Sequence, residues 1–118
     1  MKLGSVMEIL SAKPLSETVD LDLDVKCACS SDMMSDVLAF PKEHMVLLTG
    51  LVNAQVMRTC DMLDIRAVVF TRGKLPSAEA IEMANENGIS VLGTELTLFV
   101  ASGKLYAGGL VGGTKDKA

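Results

Sequence analysis

From residue 44 the chain repeats one pattern: "HMVLLTG", "NAQVMRTCDMLD", "AVVFTRG", "PSAEAIEMANENG", "ISVLGT". The first, third and fifth pieces are short, unbroken apolar runs bounded by turn residues. The second and fourth are longer and mix apolar with polar residues. This predicts strand, helix, strand, helix, strand. Strands that alternate with helices of ten or more residues form βαβ units, whose strands lie parallel and whose crossovers are right-handed. An unbroken apolar strand has no side fit for water, so helices must cover both faces of the sheet. The chain is thereby confined to the α/β class: a three-layer α/β/α sandwich with a mainly parallel sheet of about five strands.

The N-terminal part supplies the remaining elements. Leu3, Val6, Met7 and Leu10 follow the i, i+3, i+4, i+7 spacing of an amphipathic helix, and Pro14 keeps it from running on. In "TVDLDLDVKCACS", Val19, Leu21, Leu23 and Val25 alternate with Asp20, Asp22 and Asp24, which predicts a half-buried strand or strand pair with a wet acidic face. The stretch "SSDMMSDVLAF" predicts a helix. Ser31 is its N-cap, Asp32 complements the dipole at the first position, Met34, Val37 and Leu38 face inward, and Pro41 prevents continuation.

Further along, Asn53 and Ser77 are placed to cap helices, and Gly88 to end one in the left-handed conformation. A last helix is expected after Thr94, carrying Leu98 and Phe99 inward. Residues 1–107 then make one domain. From residue 108 the chain is Gly-rich and then charged, which predicts a poorly ordered tail over 108–118.

Charge and cysteine usage narrow the function. Net charge is −4, without a run of Lys or Arg, so neither nucleic acid nor an anionic membrane is an expected partner. No stretch approaches the roughly 18 apolar residues of a membrane span. The N-terminal run is broken by Glu8, unlike a signal peptide. A cytoplasmic protein is expected. Cys27, Cys29 and Cys60 are an odd set, read as reduced thiols. On a strand, Cys27 and Cys29 share one face, continuing the side of Val25. With His44 these cysteines make a nominal Cys₃His group, but the spacing is not that of a zinc site, so buried apolar roles are expected and neither metal nor cofactor.

Two motif-like stretches fail on inspection. "DLDLD" lacks the Gly and the bidentate Glu of a calcium loop, with Val25 and Ser31 in those places. "GGLVGGTK" ends Thr-Lys, where a phosphate-binding loop ends Lys-Thr or Lys-Ser. Catalysis by Ser31 or Ser35 needs a base within reach, and His44 is the sole histidine. No enzyme activity is expected.

The candidate binding residues lie where predicted strands end: Ser30, Ser31 and Asp32; Thr49 and Gly50, with Asn53 after them; Thr71, Arg72 and Gly73; and Thr94. Parallel strands bring these ends to one edge, where loop amides and helix N-termini meet anions. The competing reading is that each is an ordinary helix cap. Arg72 and Lys74 add positive charge there.

The order of these pieces resembles the DRTGG domain over residues 3–107. "SSDMMSDVLAF" is similar to that family's Ser-Asp-Leu-Leu-Ser-Asp-Val-Met-Ala segment, and "VVFTRGKLPS" to its strand, Thr-Gly-Gly and Pro-started helix. "ANENGISVLGTE" is similar to its Ala-x-x-x-Gly-Ile-Pro-Val-Leu-x-Thr. Leu51 and Val52 replace the family's Asp-Arg, and Arg72 replaces the first Gly of Thr-Gly-Gly. The family is an accessory domain, found in the kinase/phosphorylase of the phosphocarrier protein HPr, in some phosphotransacetylases and beside CBS domains. The resemblance implies a three-layer fold and a non-enzymatic regulatory domain. Such a domain would bind a small anionic metabolite or nucleotide and act through a partner, either a separate regulatory or catalytic chain or a second copy. The alternative is a purely structural homodimeric module without a small ligand.

Overall fold

The computed structural model describes residues 1–113. In chain order it contains α1 (Leu3–Ile9), β1 (Lys13–Pro14), β2 (Cys27–Ser30), α2 (Met34–Ala39) and β3 (Met45–Thr49). These are followed by α3 (Ala54–Met62), β4 (Ala67–Phe70), α4 (Ala78–Asn87), β5 (Ser90–Gly93) and α5 (Leu98–Ala107). The five strands form one sheet in the order β1-β5-β4-β3-β2. The last four are mutually parallel, and the short β1 is antiparallel to β5. Strand order follows chain order from β2 to β5, so crossovers of a single hand carry α2, α3 and α4 over the same face. Helices α1 and α5 cover the other.

Alternation along the strands divides the core accordingly. Leu47, Val68, Phe70 and Val91 pack beneath Met34, Val37, Val56, Met57, Cys60, Ala80 and Ala84. Val46, Leu48, Ala67, Val69 and Leu92 pack against Leu3, Val6, Leu10, Ala101 and Leu105. The three-layer sandwich expected from unbroken apolar strands is the observed architecture.

The local stop and start signals also act as expected. Asn53 accepts from the Gln55 amide and Ser77 from the Ala80 amide, each satisfying an N–H that the helix itself leaves open. Gly88 ends α4 with φ 68°, where a side chain would be strained.

Six expectations are corrected by the structure. Residues 19–25 are not a strand. The Leu21 and Leu23 carbonyls accept from Gly4 and Leu3 at 2.9 and 2.8 Å, so this segment caps the start of α1, where Lys2 makes no side-chain cap. Asp20 also closes a turn on the Asp22 amide at 3.0 Å, offering the backbone an alternative to a ladder. Because β2 begins only at Cys27, Cys27 and Cys29 face the α2–α4 layer, whereas Val25 lies in the α1/α5 layer. Ser31 is not the cap of α2; the helix starts at Met34 after Met33, and Asp32 lies in the loop. Leu38 and Phe99 point outward; Phe99 is 87% exposed.

The poor order expected from residue 108 does not extend to 108–113. Leu110 is buried in the α1/α5 layer, and the Val111 carbonyl accepts from Ala28 on the outer edge of β2 at 2.9 Å. An edge strand offers unpaired amides, and this segment takes one of them. The tail expected over 114–118, and with it the end of the "GGLVGGTK" stretch, lies outside the described residues.

Candidate functional site

Register brings all the expected strand ends to one edge. Ser30 lies opposite Leu48, Thr49 opposite Phe70, and Phe70 opposite Gly93. Side-chain alternation then separates the candidates. Ser30 meets the Ser102 hydroxyl of α5 at 2.6 Å, and Thr94 Oγ1 donates to the Leu10 carbonyl at 2.7 Å, so both belong to the α1/α5 side. Asp32, Thr49 and Gly50 gather over the other side. Asn53 is committed to capping α3.

Most backbone donors that an anion would use are already taken. Asp32 Oδ1 accepts from the Gly50 amide at 2.6 Å and from Thr49 Oγ1 at 3.2 Å, while Thr49 Oγ1 accepts from Leu51 at 3.1 Å. Asp32 is thus an internal carboxylate seated where a ligand's anionic group would otherwise find an amide. The Thr71, Arg72, Gly73 and Lys74 amides donate to the Thr49, Leu96, Thr94 and Thr71 carbonyls. Ser31 closes a turn on Met33 and takes no part in this cluster.

Side chains therefore carry the chemistry at this edge. Arg72 and Gly73 are both left-handed, with φ of 59° and 66°. At Arg72 this left-handed conformation bears a strain of about 1–2 kcal/mol. The turn projects Lys74 back toward β3: a Cβ placed on Gly50 would lie 3.4 Å from Asp32 Oδ1 and 3.7 Å from Lys74 Nζ. Among the described residues neither Arg72 nor Lys74 forms an ion pair. The Thr71 hydroxyl is buried without a hydrogen-bond partner. Beside the turn, between β1 and the ends of β4 and β5, is a cleft of about 180 Å³ reached by Lys13, Gly73, Lys74, Thr94 and Glu95.

Nucleophilic chemistry finds no support in this geometry. His44 precedes β3 and Ser31 follows β2, so they lie at opposite ends of strands that rise roughly 3.3 Å per residue. Burial pushes the Cys60 thiol up to about 12, and burial likewise raises Cys27 and Cys29. Such thiols stay protonated and unreactive at neutral pH. No three His, Cys, Asp or Glu side chains gather as a metal site among the described residues. No helix among them is long and apolar enough to cross a membrane.

Ser102, Leu10 and Leu96 are partners of the strand-end loops that pattern reading did not find. They are distant in sequence, and nothing local marks them.

No protein-family model matches the chain. No curated protein matches it either. Among solved structures, it is similar to that of the CBS and DRTGG domains of the regulatory region of Clostridium perfringens pyrophosphatase, complexed with the activator diadenosine tetraphosphate. The TM-score is 0.71 at 23% sequence identity, over 88% of this chain and 45% of that one. The present chain thus spans under half the length of that structure's chain. The likeness establishes a shared α/β fold.

Proposed function

We propose that this is a DRTGG-like regulatory domain without catalytic activity, which binds a phosphate-bearing small molecule, a nucleotide foremost, at the strand-end edge and acts through a protein partner. The observation that carries this reading is the pair of cations, Arg72 and Lys74, held on a left-handed turn with no ion pair among the described residues. Thr71 supports it, because a buried hydroxyl left without a partner costs free energy unless something completes it. The similar structure supports it too, as a regulatory region complexed with a nucleotide activator. The cleft of about 180 Å³ admits a phosphate end and leaves a nucleoside on the surface. Leu51 and Val52, at the positions of the family's Asp-Arg, pack half-buried on the core, so contact with an anion falls to Arg72 and Lys74.

AMP, ADP, ATP and diadenosine tetraphosphate, screened by thermal shift and calorimetry, test the reading. At a hundredfold excess over Kd, a true ligand adds about 2.7 kcal/mol. Lys74→Ala is expected to abolish the gain. Asp32→Asn removes an opposing charge while keeping an Oδ1 acceptor for the Gly50 amide, and is expected to tighten binding several-fold. A flat panel by both methods overturns the proposal.

A second reading, the homodimer, is favoured by α5. Its sequence LFVASGKLYA holds a single charged residue, and Phe99, Tyr106 and Val100 are 87%, 53% and 39% exposed. A helix with one wet side is normally polar there. The occupant that fits is a second copy: two α5 helices crossing antiparallel at Gly103, which is open on its outer side, would set each Phe99 against the other chain's Tyr106. Light scattering at high concentration is expected to give a dimer that Phe99→Lys converts to monomer. A monomer at every concentration removes this reading.

A further inference from the structure

At the opposite edge of the sheet, where β2 and β3 begin, lies a larger cleft of about 500 Å³. That volume falls within the roughly 300–1,000 Å³ of small-molecule sites, which the strand-end cleft does not reach. Its floor includes Cys27 and Val111; around it stand Lys26, Lys42 and His44, with Glu43 as the one carboxylate. Two ammonium groups and an imidazole facing one carboxylate make a positive concavity on a chain of net charge −4. Concave walls of low dielectric concentrate such a field.

The walls are held by defined contacts. The Lys26 amide donates to the His44 carbonyl at 2.8 Å, and Cys27 Sγ donates to the Glu43 carbonyl at 3.5 Å. His44 is left-handed with φ 56°, an uncommon conformation outside glycine that turns the chain into β3. The arm of Lys42 lies along Gly113, whose φ is 149°; a Cβ there would be 2.8 Å from Lys42 Cε, so glycine makes room for it. Burial raises the Cys27 and Cys29 thiols, and the Lys42 charge opposes this at both.

We propose that this cleft is a second ligand site, taking a small phosphate-bearing polyanion with the Lys26 and Lys42 ammonium groups and the His44 imidazole as donors. It is separate from the strand-end edge and does not depend on that reading. Three donors around one concavity suit an oligophosphate, which presents several acceptor oxygens along a short chain.

His44 is the only histidine, so its imidazole Hε1 resonance reports on this cleft alone. Inorganic pyrophosphate added to the full chain, at ionic strength matched with sodium chloride, is expected to move that resonance saturably. The movement should be lost in the double variant Lys26→Ala, Lys42→Ala and kept in Lys74→Ala. Glu43→Gln removes the opposing charge and is expected to tighten the apparent affinity several-fold, a readout that survives if the double variant folds poorly. Absence of saturable movement, or movement unchanged in a folded double variant, overturns the proposal. Loss of the movement in Lys74→Ala overturns it as well, since the binding then belongs to the other edge.

Discussion

Phe70→Ala is expected to remove about 3–5 kcal/mol of stability, the range for deleting a buried aromatic side chain. Phe70 closes β4 and has no exposed surface. The sequence holds three Phe, one Tyr and no Trp, and the other aromatic residues, Phe40, Phe99 and Tyr106, are all exposed. Phe70 is therefore the sole aromatic side chain in the core, surrounded by aliphatic residues and small helix faces such as Ala80 and Ala84. Those alanines leave the helix backbone close to the sheet, and little can collapse into the space a missing ring would leave. Against a total of about 5–15 kcal/mol for a domain of this kind, the loss threatens the fold itself. Urea unfolding followed by far-UV circular dichroism measures it. Phe70→Leu, which keeps most of the volume, is expected to lose less than about 1.5 kcal/mol. A loss below that figure for alanine would show that the two core layers are not packed as described.

Alkaline pH is expected to act on the fold through Cys60. Its ordinary pKa of 9.0 is pushed up to about 12 by burial in the folded chain. Below pH 9 both states hold the proton, and the group adds no pH dependence. Above pH 9 the unfolded chain loses the proton first. The unfolded state then binds fewer protons than the folded one, so stability falls as pH rises, until the folded thiol also ionises near 12. The slope is at most about 1.4 kcal/mol per pH unit, or about 4 kcal/mol over the whole window. Cys27 and Cys29, also raised by burial, act in the same direction. Cys60→Ala costs about 1 kcal/mol of packing at neutral pH. Its stability should decline more slowly than that of the parent chain between pH 9 and 10.5. Comparing the two chains cancels the groups common to both. Parallel pH profiles would place Cys60 in contact with water.

Helix caps and core faces were open to pattern reading because both follow from short-range rules. Asn53 and Ser77 bond to amides two and three residues on, and Gly88 relieves strain within itself. The unbroken apolar runs in "HMVLLTG" and "AVVFTRG" marked strands covered on both faces, and Cys60 was expected inside as a small apolar residue. Two of the failures share a cause. Leu21 and Leu23 have a strand's pattern, but their carbonyls serve α1, some twenty residues earlier in the chain. Asp32 has the chemistry of a helix-start residue, but the Gly50 amide on the neighbouring strand end offers its carboxylate a bond of 2.6 Å. Phe99 sits in a helix apolar on all sides, so hydrophobicity alone did not say which side faces the sheet.

The candidate edge divides in the same way. That Ser30, Thr49, Thr71 and Thr94 end strands at a common level follows from the repeated strand and helix grammar, since parallel strands joined by helices must all finish on the same side. Whether any of them has a donor left to give was beyond that grammar. Thr94 and Ser30 spend theirs on Leu10 and Ser102, Thr71 keeps its hydroxyl unpartnered, and Arg72 and Lys74 form no ion pair among the described residues. The larger cleft drew nothing from pattern, because Lys26, Lys42, His44 and Val111 come from three separate segments.

The layered α/β architecture, the helix limits at Asn53, Ser77 and Gly88, and the parallel sheet follow from side-chain period, propensity and caps, whose free energies act within a turn or two of the chain. The fate of each polar group, the seating of residues 108–113 on the edge of β2, and the two clefts follow from the tertiary structure. They depend on donors and acceptors far apart in the chain that meet only after the layers close, and no local preference encodes which of them will pair.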